Sequence, residues 1–298
     1  MSTLPPRVVL VTRATQLTAL LARHSTRGQV EFFLNSRGQS FSELARRDAL
    51  QAAAMKQVKA ALPPDWSFAQ VDRDDLDRFL FAPGDIVVAL GQDGLVANLA
   101  KYLSGQPVIG VTPAPELGEG ILTRHGLPAL PGLLTRTAQG DIDSEARTMV
   151  AARLDGGDRL LALNELFIGH RSHQSARYEL IHGGTTEFQS SSGLIVSTGT
   201  GLSGWARSIM TATHADIAFA PDAPRAAFFS REPWPSRQSG AELRAGLIEG
   251  DQALRVLSRI DDGGVIFADG IEQDFLRFDY GRETAIAIAD EHLTLVTG

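Results

Sequence analysis

Asp85-Ile86-Val87-Val88-Ala89-Leu90-Gly91-Gln92-Asp93-Gly94-Leu95-Val96-Ala97-Asn98-Leu99-Ala100-Lys101-Tyr102-Leu103 is the stretch whose reading decides the fold. Residues 86–90 are uninterrupted apolar, bounded by Asp85 and Gly91, as in a strand buried on both faces of a parallel sheet. Residues 95–103 read as a helix. Gly91 to Gly94 is therefore a tight strand-to-helix turn at the carboxyl end of a strand, where open α/β sheets bind ligands. Glycines there let backbone approach a phosphate, and a helix start offers it unpaired N–H groups. A carboxylate in such a turn repels phosphate unless it handles a proton or a metal beside it, which singles out Asp93. The local alternative is an Asp-Gly turn that only reverses the chain.

Outward from this turn the pattern alternates. Residues 8–11 and 107–111 read as buried strands, 67–71 as a strand, and 15–22 as a helix. Ser42 is expected to cap a long helix that ends near Leu62, with Glu43 in its first turn and Pro63-Pro64 stopping it. Residues 30–34 look like a second strand or an extended insertion, and Asp72 to Asp77 like a solvated helix start. The alternation predicts an α/β N-terminal domain with a parallel, doubly wound sheet over residues 1–125. Pro113 to Gly132 is rich in Pro and Gly and reads as a linker, followed by a helix over 144–150. Beyond it come a hairpin signal at residues 153–159 and strand candidates at 159–168, 176–181, 193–197, 226–230, 254–259, 264–268, 275–279, 284–288 and 293–296. Residues 126–298 are thus expected to form a β-rich, β-sandwich-like C-terminal domain.

Two segments of this second half carry candidate chemistry. Asn164-Glu165 interrupts the apolar run of residues 160–168, a costly placement unless the pair is hydrogen-bonded, lies at a strand end in solvent, or reads polar groups of a ligand. Residues 190–205, Ser-Ser-Ser-Gly-Leu-Ile-Val-Ser-Thr-Gly-Thr-Gly-Leu-Ser-Gly-Trp, read as strand, small-residue turn and helix. The turn lacks the Lys of a P-loop and is not Gly-x-Ser-x-Gly, so neither that loop nor a nucleophile elbow fits. It is either a ligand loop or a flexible loop with a capping hydroxyl. His170 and His173 lack a third placed ligand for zinc, and Asp269-Gly270 reads as a structural hairpin turn.

In order and in spacing these segments resemble the NAD kinase family. Leu90-Gly91-Gln92-Asp93-Gly94 is similar to its Gly-Gly-Asp-Gly turn, and residues 107–111 to the strand that follows. Ala162-Leu163-Asn164-Glu165 is similar to its Asn-Glu motif, residues 193–201 to its Gly-rich substrate loop, and Phe267-Ala268-Asp269-Gly270 to its late Asp-Gly turn. The wording around Asn164 to Gly169, Ser191 to Gly193 and Thr198 to Gly201 with Trp205 is most similar to the mitochondrial-type branch. Gln92 stands where the family turn has its second glycine, and Leu95 where it has Thr.

The resemblance implies an NAD kinase-like fold and transfer of the ATP γ-phosphoryl group to the adenosine ribose 2′-hydroxyl of NAD, giving NADP. It implies Asp93 as the base near that hydroxyl and Gly91, Gln92 and Gly94 facing phosphate. Asn164 and Glu165 would bind adenine and ribose groups, and Ser192, Thr200, Ser203, Gly204 and Trp205 would line the dinucleotide pocket. Phosphoryl transfer has a loose transition state, so positioning and charge neutralisation carry most of the catalysis. Mg²⁺ is expected with ATP, because no Lys or Arg stands in the turn itself, and no metal site built from protein ligands is expected. The expected assembly is a homodimer or higher homo-oligomer. Two other functions compete: a non-catalytic NAD(H)- or NADP(H)-binding protein, and a kinase for another hydroxyl substrate such as a lipid. Asp93 favours catalysis over binding alone, and the Asn-Glu pair favours a dinucleotide over a lipid.

Composition narrows the field further. The 298 residues are ample for two cores, and a net charge of −7 argues against a nucleic-acid partner. No stretch nears the ~18 apolar residues of a membrane span. The absence of cysteine excludes disulfides and thiolate metal sites. Residues 1–6 carry neither a signal-peptide nor a presequence pattern, so the cytoplasm is the expected compartment.

Overall fold

The computed structural model describes residues 5–114 and 120–298. The chain forms two compact units, one of residues 1–102, 106–144 and 294–298, the other of residues 103–105 and 145–293. The first unit therefore runs on past residue 125 to Ser144. No helix among the described residues is long and apolar enough to cross a membrane.

The first unit begins β1 (Arg7–Thr12), α1 (Gln16–His24), α2 (Arg27–Asn35), α3 (Phe41–Ala60), β2 (Ser67–Asp72) and a 3₁₀ turn over Arg73–Arg78. It continues β3 (Ile86–Leu90), α4 (Asp93–Ala100), β4 (Pro107–Thr112), a short β5 (His125–Gly126) and α5 (Leu130–Gln139). The strands lie in the order β2-β1-β3-β4, all parallel. Thr294 and Leu295, near the chain end, add a further parallel partner beside β4. Val8, Val9, Leu10 and Val11 have no exposed surface, nor do Val87 to Leu90, as expected of strands covered on both faces. Val8, Leu10, Val88 and Leu90 pack with Ala54 and Val58 of α3 and Leu130 and Leu134 of α5. Each of these Val and Leu side chains contributes about 1.5–3 kcal/mol by leaving water. Asp85, 2% exposed, takes Nε and Nη2 of Arg7 at 2.9 and 2.6 Å, tying the starts of β1 and β3 together.

The second unit is β-rich. Its strands are β6 (Ser144–Leu154), β7 (Arg159–Ala162), β8 (Glu165–His170), β9 (Ala176–His182), β10 (Thr185–Ser191) and β11 (Leu194–Thr198). After a 3₁₀ turn over Gly201–Ser203 come α6 (Trp205–Thr213), β12 (Arg225–Ser230), β13 (Ala245–Glu249), β14 (Leu254–Ser258), β15 (Gly264–Ala268), β16 (Ile271–Arg277) and β17 (Glu283–Val296). Six strands form an antiparallel sheet in the order β13-β12-β11-β8-β15-β16. Its inward residues Leu166, Ile168, Val196, Phe228 and Ile266 meet Tyr178, Leu180, Val256 and Ile286 of β9, β14 and β17. That face-to-face burial makes the unit sandwich-like. The chain thus combines a parallel α/β unit with an antiparallel, β-rich unit, the two fold types expected.

Several local expectations are corrected. Residues 30–34 are helical, within α2, because Val30 and Leu34, four apart, are the pair that is buried. The cap of α3 is Ser40, whose hydroxyl accepts the Glu43 N–H at 3.4 Å; Ser42 lies inside the helix. Residues 144–150 form strand, because a run of burial from Arg147 to Ala152 overrides the helix preference of Glu, Ala and Met. The stretch 159–168 is two strands broken at Leu163-Asn164, and 284–288 with 293–296 is one strand. The linker expected over 113–132 carries β5 and the start of α5, while its residues 115–119 lie outside the described ones.

Candidate functional site

In the first unit the sheet order places β1 between β2 and β3, so the connections from β1 and β3 leave on opposite sides. The carboxyl ends of β1 and β3 are thus a topological switch point. A cavity of about 980 Å³ opens there, lined by Arg13 to Leu17 after β1, Gly91 to Leu95 after β3, and Arg47, Gln51, Arg73 and Asp74. Gln51 Nε2 donates to the Leu90 carbonyl at 3.2 Å and pins α3 to the strand end. Three arginines face this cavity, which sequence spacing did not reveal because they come from three separate elements. Arg47 is held by Glu43 at 2.9 Å and Arg73 by Asp74 at 2.8 Å. Arg13 is exposed and has no acidic partner among the described residues.

Gly91, Gln92, Asp93 and Gly94 all line this cavity. Gln92 is the N-cap of α4, at φ −109° and ψ 165°, an extended conformation any residue adopts. A Cβ on Gly94 would meet nothing within 4 Å, so space there is open. Asp93 is the first helical residue, and its carboxylate is engaged. The Ile121 N–H donates to Oδ2 at 2.7 Å; the Leu122 and Thr123 N–H groups donate to Oδ1 at 3.0 and 2.8 Å, as does the Thr123 hydroxyl at 2.8 Å. Gly120 is obligatory beside it, since a Cβ would stand 2.3 Å from Asp93 Oδ1. Oδ1 is therefore saturated, and Oδ2, with one donor, keeps room to accept another. Among the described residues no group of three or more His, Asp or Glu could hold a metal alone. Among the described residues, Asp74 and Asp93 are the carboxylates that line the cavity.

In the second unit Asn164 and Glu165 sit at the break between β7 and β8. The Asn164 carbonyl accepts the Thr198 N–H at 3.0 Å and the Ser197 hydroxyl at 3.4 Å. Gly201 approaches so closely that a Cβ would be 2.1 Å from that carbonyl oxygen. The Asn-Glu pair and the Gly-rich loop are thus one structure. Yet among the described residues neither the Asn164 nor the Glu165 side chain has a hydrogen-bond partner, though both are partly buried. Burial and the charge of Asp269 push the Glu165 carboxyl up to about 7. Thr200 belongs to the same cluster: Nη1 of Arg147, 3% exposed, donates to its hydroxyl at 3.4 Å, and Ser203 Oγ donates to its carbonyl at 3.0 Å.

Ser192 lies at the other end of β11 from Thr200, where its N–H donates to the Arg231 carbonyl at 2.8 Å. Gly204 caps α6. Trp205 stacks on Phe167 at 5.9 Å between ring centres, and the Arg231 guanidinium lies 4.9 Å from its ring centre. Ser192 and Trp205 therefore share Arg231. Sequence reading missed Arg147 and Arg231, since neither is spaced to the motif it serves. His170 is engaged locally, accepting the Ser172 N–H on Nδ1 at 3.0 Å.

No family model matches the chain. Part of it is similar to two NAD kinases. That of Methanopyrus kandleri is 30% identical over 129 residues, 42% of this chain and 45% of the relative. That of Geobacter metallireducens is 32% identical over 130 residues, 41% and 44%. The match spans less than half the length of either relative. Among solved structures, an NAD kinase from Archaeoglobus fulgidus in complex with ATP aligns with a TM-score of 0.58 at 17% identity, over 98% of this chain and 93% of that one. Yeast NADH kinase complexed with NADH aligns with a TM-score of 0.60 at 15% identity, over 99% and 84%. At those identities the likeness is one of fold.

Proposed function

We propose that this chain is an NAD kinase, transferring the γ-phosphoryl group of ATP to the adenosine ribose 2′-hydroxyl of NAD. The observation that carries the reading is the cavity at the switch point: a carboxylate at a helix N-terminus, open space beside Gly94 and three arginines in its lining. That set suits a triphosphate whose charge must be offset while a hydroxyl is oriented. Arg13, Arg47 and Arg73 face phosphate, with Mg²⁺ supplying further neutralisation when bound. Asp93 Oδ2 orients the 2′-hydroxyl and takes its proton late. Asn164 and Glu165 bind the adenosine half of NAD through side chains that have no hydrogen-bond partner among the described residues, and Trp205 and Ser192 extend that surface.

The same reading includes a mitochondrial-type wording of the second half, a homo-oligomeric assembly and a cytoplasmic enzyme. One specific observation favours a second reading. Asp93 already fixes residues 121–123, so it has a structural reason to remain in a protein that binds dinucleotide without turnover. Incubating the purified chain with NAD, ATP and Mg²⁺ and coupling product to an NADP-specific dehydrogenase separates the two. Sustained NADPH production is expected, and binding of NAD with no NADPH signal would select the binding protein.

A further inference from the structure

The hairpin turn between β15 and β16 carries Asp269 at φ 51° and Gly270 at φ 72°. Asn-Gly would satisfy such a turn equally well, since both tolerate the left-handed region. The turn therefore does not explain why a carboxylate is present, and one that is 8% exposed. The break between β7 and β8 does. It leaves three successive backbone N–H groups without ladder partners, and all three donate to Asp269. Leu163 N–H reaches Oδ2 at 3.0 Å, Asn164 N–H reaches Oδ1 at 2.7 Å, and Glu165 N–H reaches Oδ1 at 3.2 Å. The Asp269 N–H returns a bond to the Glu165 carbonyl at 3.0 Å. An amide in its place would offer one acceptor oxygen and turn an NH₂ toward one of these donors.

We propose that Asp269 is the positioning residue of the Asn164-Glu165 pair, its carboxylate cradling the backbone of the pair and standing as a second negative charge beside the Glu165 side chain. Its ligand consequence rests on the dinucleotide reading above; the coupling itself does not. Ser197, paired with Glu165 across β11, is uncharged, and Thr198 and Thr200 of the loop beyond carry no charge. Among the described residues, Asp269 is the charged group that acts on Glu165 from the elements around it. Burial and this charge both favour the protonated Glu165, which titrates near 7. Dinucleotide affinity then changes across neutral pH, strengthening as Glu165 becomes an ionised acceptor for ribose hydroxyls.

The test compares wild type with Asp269→Asn. Glu165 is titrated by carboxyl ¹³C NMR, assigned with Glu165→Gln, and NAD binding is measured by calorimetry from pH 5.5 to 8.5. The wild-type midpoint is expected near 7, moving toward the ordinary carboxylate value in Asp269→Asn. NAD affinity at pH 8.5 is expected to fall about tenfold, the scale of one badly replaced buried acceptor. A folded Asp269→Asn with an unmoved Glu165 midpoint overturns the proposal, as does a wild-type midpoint at the ordinary value, which needs no variant to fold. If wild type binds no NAD, the dinucleotide reading fails, and the titration still decides the role of Asp269.

Discussion

At the scale of single residues, two aspartates do the same physical work in different units: each binds the backbone N–H groups of a loop. Asp93 does so for residues 121–123 and Asp269 for residues 163–165. For Asp93 the kinase reading adds a base role, so Asp93→Asn should keep NAD binding and lose about 10²–10⁴-fold in turnover. Lost hydrogen bonds to residues 121–123 should also cost about 1–2 kcal/mol of stability. Near wild-type kcat in a folded variant would sink the base assignment. Gln92 sits exposed with extended backbone, so replacing it relieves no strain. Gln92→Gly should change the KM for ATP more than that for NAD, and the reverse order in steady-state kinetics would remove Gln92 from the phosphate side. Glu165 makes a pH prediction. Its folded carboxyl titrates near 7 against an ordinary 4.5, so the folded state holds the proton more tightly. Below the ordinary value both states are protonated and no penalty exists. As pH rises toward 7 the unfolded chain ionises first, and stability falls before levelling off. Urea unfolding at pH 4 and pH 8 should show wild type losing at most about 3 kcal/mol relative to Glu165→Gln. Parallel pH dependence in the two proteins would contradict it.

At the scale of elements, the close approach of Gly201 to the Asn164 carbonyl makes the Gly-rich loop and the Asn-Glu break one packed object. Gly201→Ala would force backbone apart and should destabilise by about 1–3 kcal/mol while raising the KM for NAD. An unchanged melting temperature and KM would mean the contact is slack. This scale also shows what was legible in sequence. Residues 86–95 were readable because a fully buried strand and an Asp-Gly turn have sharp local signatures. Residues 30–34 and 144–150 were not. Their propensities point one way and their burial the other, and burial is a property of partners distant in the chain. The motif residues were visible as polar breaks in apolar runs. Arg13, Arg73 and Arg147, and the role of Asp269, were not, because each reaches its place through the fold rather than through spacing. Asp269 was hidden further by sitting in a turn that its residue type already suits.

At the scale of the whole molecule, a parallel α/β unit supplies a cavity of about 980 Å³, and a β-rich unit supplies Asn164 and Glu165, whose side chains have no hydrogen-bond partner among the described residues. Fold likeness extends over nearly all of this chain, whereas sequence likeness to named NAD kinases covers about two fifths of it. Phosphorus NMR follows the proposed phosphoryl transfer itself. The purified protein is incubated with NAD, ATP and Mg²⁺, and ³¹P spectra are followed in time. The account predicts a growing 2′-phosphomonoester resonance of NADP matched one for one by ADP, absent with Asp93→Asn. ATP and NAD left unchanged, or ATP cleaved to ADP and inorganic phosphate with no phosphomonoester on NAD, would contradict it.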